Sequence, residues 1–287
     1  SQTALRENGT YTHMTKPGNI SLTIFTIQRG SVARFTETEA DLVLQLIKFH
    51  IMYQGLVYMT DGTIYSDEGV VESEGFLYLD YMGYGPESGP GNGSTDGNVG
   101  YGGAHGGHGG ATKPNTGGFP YDSVYIPKDE GSGGGNGKGI GVRGGGYLVW
   151  KVGTHLWIDG EVTMQGENGQ GVNAGGGSGG GIFIETLNFT GYGHVDCSGG
   201  NGSISGGGGG GSGGRIGLLI HFDRRFAGLL NTYGGYGSNG MLSGAAGTVF
   251  IEETNRGPDY EDIKYDKVLN ETIRVGEENK YSNYSRC

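Results

Sequence analysis

Cysteine occurs only twice in the 287 residues, at Cys197 and Cys287, so the chain is not a disulfide scaffold. The two thiols either pair with each other or leave Cys287 for another chain. Proline occurs seven times, and the glycines lack the every-third-residue period of a triple helix, which excludes collagen. Long apolar runs are missing too. Stretches such as Leu42–Leu44 and Ile216–Ile220 fall far short of the roughly 20 residues that a membrane-spanning helix needs. The 19 Lys and Arg are scattered and outnumbered by 30 Asp and Glu, giving a net charge of −11, so no basic groove for nucleic acid is expected. The chain opens at Ser1 with neither Met nor an apolar leader, as a processed chain or a piece of a longer precursor would.

What the chain has in excess is glycine, at 66 positions, against an average usage of about 7%. Eighteen Tyr and ten Phe accompany it. Glycine is poor in helix interiors, while aromatic and β-branched residues favour pleated strands, so the expected class is all-β. Seven Asn-X-Ser/Thr triplets stand at Asn8, Asn19, Asn92, Asn188, Asn201, Asn270 and Asn283. Chance predicts about two in a chain of this Ser and Thr content, and the excess points to N-glycosylation and a secreted or cell-surface location.

A repeat of about 34 residues organises the second half. Tyr147, Ile182, Ile216 and Val249 begin similar strand segments, at spacings of 35, 34 and 33 residues. Gly160, Gly193 and Gly228 follow the first three at a second corner, and Gly166, Gly199 and Gly234 come six residues later in each unit. Each unit reads as one coil: strand, turn, strand, turn, short strand and glycine-rich loop. Glycine suits the corners, where φ turns positive or stacked backbones approach too closely for a Cβ. The expected architecture is a right-handed parallel β-helix-like solenoid with Gly-rich loops and an extended C-terminal arm. Within strands such as Tyr147–Trp150 and Ile182–Glu185, side chains should alternate between interior and exterior.

Four regions are expected: N-terminal β-coils at 1–81, a Gly-rich insertion at 82–145, Gly-cornered coils at 146–253 and a polar arm or linker at 254–287. The stretch Glu37–Ile47 also fits a short amphipathic helix. Aromatic anchors such as Tyr84, Tyr101, Phe119, Tyr121 and Tyr125 interleave the insertion's glycines and argue for an ordered loop.

The succession GYGGAHGGHGG, GVRGGGYLVW, GGGSGGGIFIET, GGGGSGGRIGLLI and GYGSNGMLSGAAGTVFIE, spread over roughly residues 40 to 255, resembles the glycine-rich β-helical region of eukaryotic surface and secreted proteins. These include plant glycine-rich proteins and the mastigoneme-type, sexually induced proteins of algae and stramenopiles. The resemblance implies an extracellular, glycosylated structural or adhesive role, such as a subunit of a filament, flagellar hair or cell-wall layer.

Chemistry-bearing motifs are sparse. No glycine string is followed by Lys-Ser/Thr as in a phosphate loop. His105 and His108 are three apart but lack further ligands, so packing or hydrogen bonding suits them better than a metal. Acidic turns at Asp61, Asp67, Glu68 and Asp129-Glu130 leave Ca²⁺ as a candidate ion, although the calcium-binding nonapeptide does not recur. A polysaccharide-cleaving site needs carboxylates stacked on one face. The residues beside the second corner, Asp159, His194 and Ala227, and those after it, Glu161, Val195 and Leu229, form no acidic ladder. The chain therefore reads as a structural protein and not an enzyme. It is expected to assemble through its coil ends and residues 254–287. An adhesin or glycan-binding module, with Tyr192, Tyr233 and Tyr236 as stacking platforms, is the alternative; a polysaccharide-active enzyme is a weaker one.

Overall fold

A computed structural model describes residues 11–14, 19–21, 24–35, 42–114, 116–254 and 272–275. Asn8, Asn270, Asn283 and Cys287 lie outside them. The first strands are β1 (Tyr11–Met14), β2 (Asn19–Ser21), β3 (Ile24–Ile27), β4 (Val32–Phe35), β5 (Leu42–Ile51), β6 (Leu56–Met59), β7 (Gly62–Val71) and β8 (Phe76–Tyr78). A two-strand pair, β9 (Thr95–Asp96) and β10 (Val99–Gly100), lies in the insertion. Then come β11 (Tyr147–Ile158), β12 (Glu161–Thr163), β13 (Gly181–Gly191), β14 (His194–Asp196), β15 (Arg215–Phe226), β16 (Leu229–Asn231), β17 (Thr248–Glu253) and β18 (Thr272–Val275). The described residues contain no helix, and the part of Glu37–Ile47 that is described belongs to strand β5.

Two parallel sheets face each other. One runs β1-β4-β6-β8-β12-β14-β16; the other runs β17-β15-β13-β11-β7-β5-β3-β18, with β2 also on β5. Successive strands of each sheet come from successive turns of the chain, so the molecule is a parallel β-solenoid. The β3, β5 and β7 coils advance by 24 and 20 residues (Ile24↔Lys48, Leu42↔Gly62). The later coils advance by 34, 34 and 33 (Tyr147↔Gly181↔Arg215↔Thr248).

Register corrects the expected alignment by one residue. Leu148, not Tyr147, pairs with Ile182, Ile216 and, at the end, Val249. In a strand a slip of one exchanges inside for outside, and Leu148 is buried where Tyr147 is half-exposed. The inward columns make the core: Leu44, Ile64, Trp150, Ile184 and Leu218 stack coil upon coil. Gly69, between Phe49 and Leu156 in the pairing, leaves the space that the Trp150 ring fills; a Cβ there would lie 2.7 Å from the indole. Phe49 consequently meets Trp150 edge to face at 5.5 Å and stacks on Phe25 at 5.5 Å.

The expected in–out alternation holds in Tyr147–Trp150 but fails in Ile182–Glu185, where Ile182, Phe183 and Ile184 are all buried; Arg215–Leu218 in the next coil is likewise buried on both faces. The insertion supplies the cover. Tyr125 and Pro127 lie against Gly217, and Tyr125 meets Phe250 edge to face at 4.9 Å. Arg215 Nε donates to the Tyr121 carbonyl at 2.8 Å, and burial lowers the pKa of that guanidinium.

The glycine-rich segments form a third wall and not free loops. The amides of Gly209 and Ser212 donate to Gly100 and Gly103, those of Gly210 and Gly213 to Leu242 and Ala245, and those of Gly211 and Gly214 to Gly200 and Cys197. Segment 175–180 repeats the pattern: Gly175 and Ser178 donate to Gly135 and Ser132, Gly176 and Gly179 to Gly209 and Ser212, Gly177 and Gly180 to Glu167 and Met164. Donors that return to the same neighbour every third residue mark a polyproline II-like helix, which has three residues per turn and no internal hydrogen bonds. Each such helix bonds several others, satisfying backbone groups that a buried loop would leave unpaired.

This packing also decides between the two expected reasons for glycine, in favour of close backbone approach. None of Gly160, Gly166, Gly193, Gly199, Gly228 and Gly234 has positive φ. Each is needed because a Cβ would lie between 2.0 and 2.3 Å from a backbone oxygen of a neighbouring segment. Gly160, Gly193 and Gly228 form one column, each against the glycine carbonyl of the coil before: Gly75, Gly160 and Gly193. A direct test compares two substitutions by urea unfolding. Gly211→Ala places its Cβ 2.0 Å from the Gly177 oxygen and should cost about 3 kcal/mol or more. Gly85→Ala meets nothing within 4 Å and should stay within about 0.5 kcal/mol.

Candidate functional site

The outer face of the first sheet carries a connected group of polar side chains. Strands β12, β14 and β16 align Glu161, His194 and Leu229 in one column and Thr163, Asp196 and Asn231 in the next. The sequence alignment had set Val195 opposite Glu161; pairing puts His194 there, so an acid and an imidazole are neighbours. Asp80, just after β8, joins them: Leu79 donates its amide to the Thr163 carbonyl, and the Gln165 amide donates to Asp80 Oδ1 at 2.7 Å.

The side chains interlock. Gln165 Nε2 donates to Asp196 Oδ2 at 2.8 Å, and the Ser198 amide donates to Asp196 Oδ1 at 2.8 Å. Asn231 Nδ2 lies 2.5 Å from His194 Nε2, which is 4.0 Å from Asp196 Oδ2. Burial pushes the Asp80 pKa up, and the Asp196 and Glu161 charges add to it against the lowering by the Gln165 amide and the Thr163 hydroxyl. The buried Thr163 Oγ1 nonetheless forms no well-aligned hydrogen bond. Burial also raises the Tyr78 phenol, with Glu161 and Asp80 contributing. Beyond the acids, Tyr78 packs against Phe76 and Tyr58, and the Arg34 guanidinium lies 4.1 Å from the Tyr58 ring centre. The group combines hydrogen-bonding amides, carboxyl groups and half-buried aromatic rings on one face of the sheet.

Other predicted positions fall elsewhere. Asp159 Oδ1 accepts the Tyr192 amide at 2.9 Å, linking adjacent coils. His105 is fully buried; its ring nitrogens lie 3.1 Å from the Gly179 carbonyl and 3.2 Å from Asp122 Oδ2. At Asp122, burial raises the pKa, but the His105 bond and backbone amides outweigh it and the net shift is downward. His108 packs edge to face on Phe119 at 5.2 Å. The two histidines thus serve different contacts. Asp61 accepts the Tyr147 amide at 2.8 Å, Glu68 pairs with Lys48 at 3.3 Å, and Asp129 accepts the Tyr84 hydroxyl at 3.0 Å. Among the described residues no three His, Cys, Asp or Glu gather as metal ligands. Cys197 is wholly buried, and its thiol pKa is pushed well up by that burial.

Of the sequons, Asn92 and Asn201 are exposed, Asn188 is half-buried in β13, and Asn19 lies in β2. Tyr192, Tyr233 and Tyr236 are all exposed. Asp80, Gln165 and Asn231 were not singled out by sequence; the usable signal was the strand alignment, which a one-residue error hid.

A second surface is the end of the stack. Val249 and Ile251 top the columns of Ile216 and Leu218, which are buried, yet they are 40% and 37% exposed. Within the described residues, strands β16 and β17 end their sheets. Comparison with protein-family models, curated proteins and solved structures finds no match. No helix among the described residues is long and apolar enough to cross a membrane.

A carboxyl raised by folding stabilises below its unfolded pKa of about 3.9, and that contribution fades as pH rises through its folded midpoint. Carboxyl NMR titration should place the Asp80 midpoint above 3.9. Asp196→Asn removes a like charge and should bring the midpoint down; no movement would mean that the two acids are uncoupled.

Proposed function

We propose that this chain is an extracellular, glycosylated structural protein whose coils join end to end into a filament or layer. The carrying observation is the end coil, which leaves Val249 and Ile251 exposed at positions that are core in the coils beneath. Parallel solenoid ends are complementary: an edge that can accept a strand meets one that can provide it in the same direction, and such head-to-tail contacts propagate. We take the coil as right-handed, the hand that parallel crossovers favour. The seven sequons support secretion.

Residues 272–275 pair in parallel with β3 of the same chain, at the opposite end of the stack from β17. Exchange of that strand onto β3 of a neighbouring copy makes the C-terminal region a bridging arm without any new pairing. A second reading, as a module that binds neutral glycans, draws on the first sheet's outer face, where Asp80, Glu161 and Asp196 would repel anionic polysaccharides while amides and tyrosines suit sugar hydroxyls and rings.

Assembly is testable by light scattering and electron microscopy on the full chain. The expected result is concentration-dependent growth of end-to-end particles. Val249→Asp with Ile251→Asp should weaken association by a factor of ten or more, since burying each aliphatic side chain is worth about 1.5–3 kcal/mol. Particles that stay monomeric at all concentrations, or a variant that assembles as well as the parent, would contradict the reading.

A further inference from the structure

We propose that Asn201 carries an N-linked glycan whose first sugar packs on the Tyr236 ring, making the glycan part of the glycine layer's outer face. This rests on the secretory reading above and names one modification site within it.

The geometry begins with a ladder of side-chain amides. Asn168 Oδ1 accepts the Asn201 amide at 2.7 Å, and Asn201 Oδ1 accepts the Tyr236 amide at 2.8 Å. The Asn201 carbonyl is thereby tied along the layer towards Tyr236. Its Nδ2, the atom that takes a glycan, is the other branch of the same planar group. Attachment there uses one N–H and leaves the accepting oxygen in place, so the ladder survives modification. Asn188 is arranged differently: its Nδ2 already donates one N–H to the Thr154 carbonyl at 2.9 Å on the neighbouring strand, so a glycan there has only the second N–H to use.

Tyr236 provides the receiving surface. It stands one segment along the layer from Asn201, whose Oδ1 accepts its amide, and is 77% exposed. Tyr233, 66% exposed, lies three residues earlier. In a helix with three residues per turn both rings project from one face, about 9 Å apart. The backbone beneath is fixed: Gly199 and Gly202 donate to the Tyr233 and Tyr236 carbonyls, and the Gly235 amide donates to Gly211. Two uncovered phenol rings on an immobile backbone lose little entropy when a sugar's C–H face covers them. A covalent tether supplies the sugar at high effective concentration.

The third sequon residue fits the order of events. Ser203 is buried, and its hydroxyl donates to the Gly171 carbonyl. The glycosylating enzyme must read that hydroxyl before the coil closes, so the sugar is already present when Tyr236 packs.

The test uses the full chain and its Tyr236→Ala variant, each produced by a eukaryotic secretory host with and without N-glycosylation. Glycopeptide mass spectrometry reads occupancy, and thermal unfolding reads the effect. Tyr236→Ala removes the ring but keeps the backbone amide that Asn201 accepts. The expected results are occupancy at Asn201 and a glycan-dependent rise in Tm that shrinks by about 2–4 °C in the variant. An equal rise in both proteins overturns the packing. A bare Asn201 beside other modified sequons overturns this proposal alone, whereas seven bare sequons overturn it together with the secretory reading.

Discussion

The structure depends on how closely glycine backbones approach one another. Wherever the glycine-rich segments cross, a carbonyl oxygen occupies the position a Cβ would take, at 2.0 Å for Gly176, Gly211 and Gly244. The contact places a Cα hydrogen against that oxygen, a weak attraction at best. Its larger effect is permissive, because it brings three or more neighbours within hydrogen-bonding range of each segment. Exchanging the hydrophobic core for such a wall on one side of the coil lets a chain with only 34% hydrophobic residues close its backbone bonding.

The two sheets and the glycine wall divide the work. The sheets enclose the apolar columns through Trp150 and Ile184, while the wall is mostly backbone, and the polar side chains it buries are bonded: Ser178 Oγ donates to the Ala104 carbonyl, Ser212 Oγ accepts the His105 amide, and the His105 ring meets Asp122. Residues that need solvent therefore collect on the rims and outer faces. That is why the acids and amides near Asp80 and Asp196 and the tyrosines at 233 and 236 lie on outer faces and not in a cavity.

Much of this was legible in the sequence. Recurring glycines gave the period, and the apolar strands between them gave a coil. The off-by-one at Tyr147 arose because a glycine block ends just before each strand, and Gly181 belongs inside its strand where Gly146 does not. The glycine wall was not legible, since pattern reading relies on side chains that mark a face at periods of 2 or 3.6, and glycine marks none. The group around Asp80 stayed hidden because the whole insertion separates that acid from Glu161 in sequence, and only strand pairing brings them together.

The insertion is stitched into coils that come much later in the chain: Gly103 donates to Gly176, Gly106 to Gly213, and Gly209 back to Gly100. These cross-links run between turns that the sheets alone would join only to their immediate neighbours. The coils after residue 146 are thus braced through the insertion as well as through their own sheets, so that pulling one of them loose means breaking bonds to a segment that several of them share.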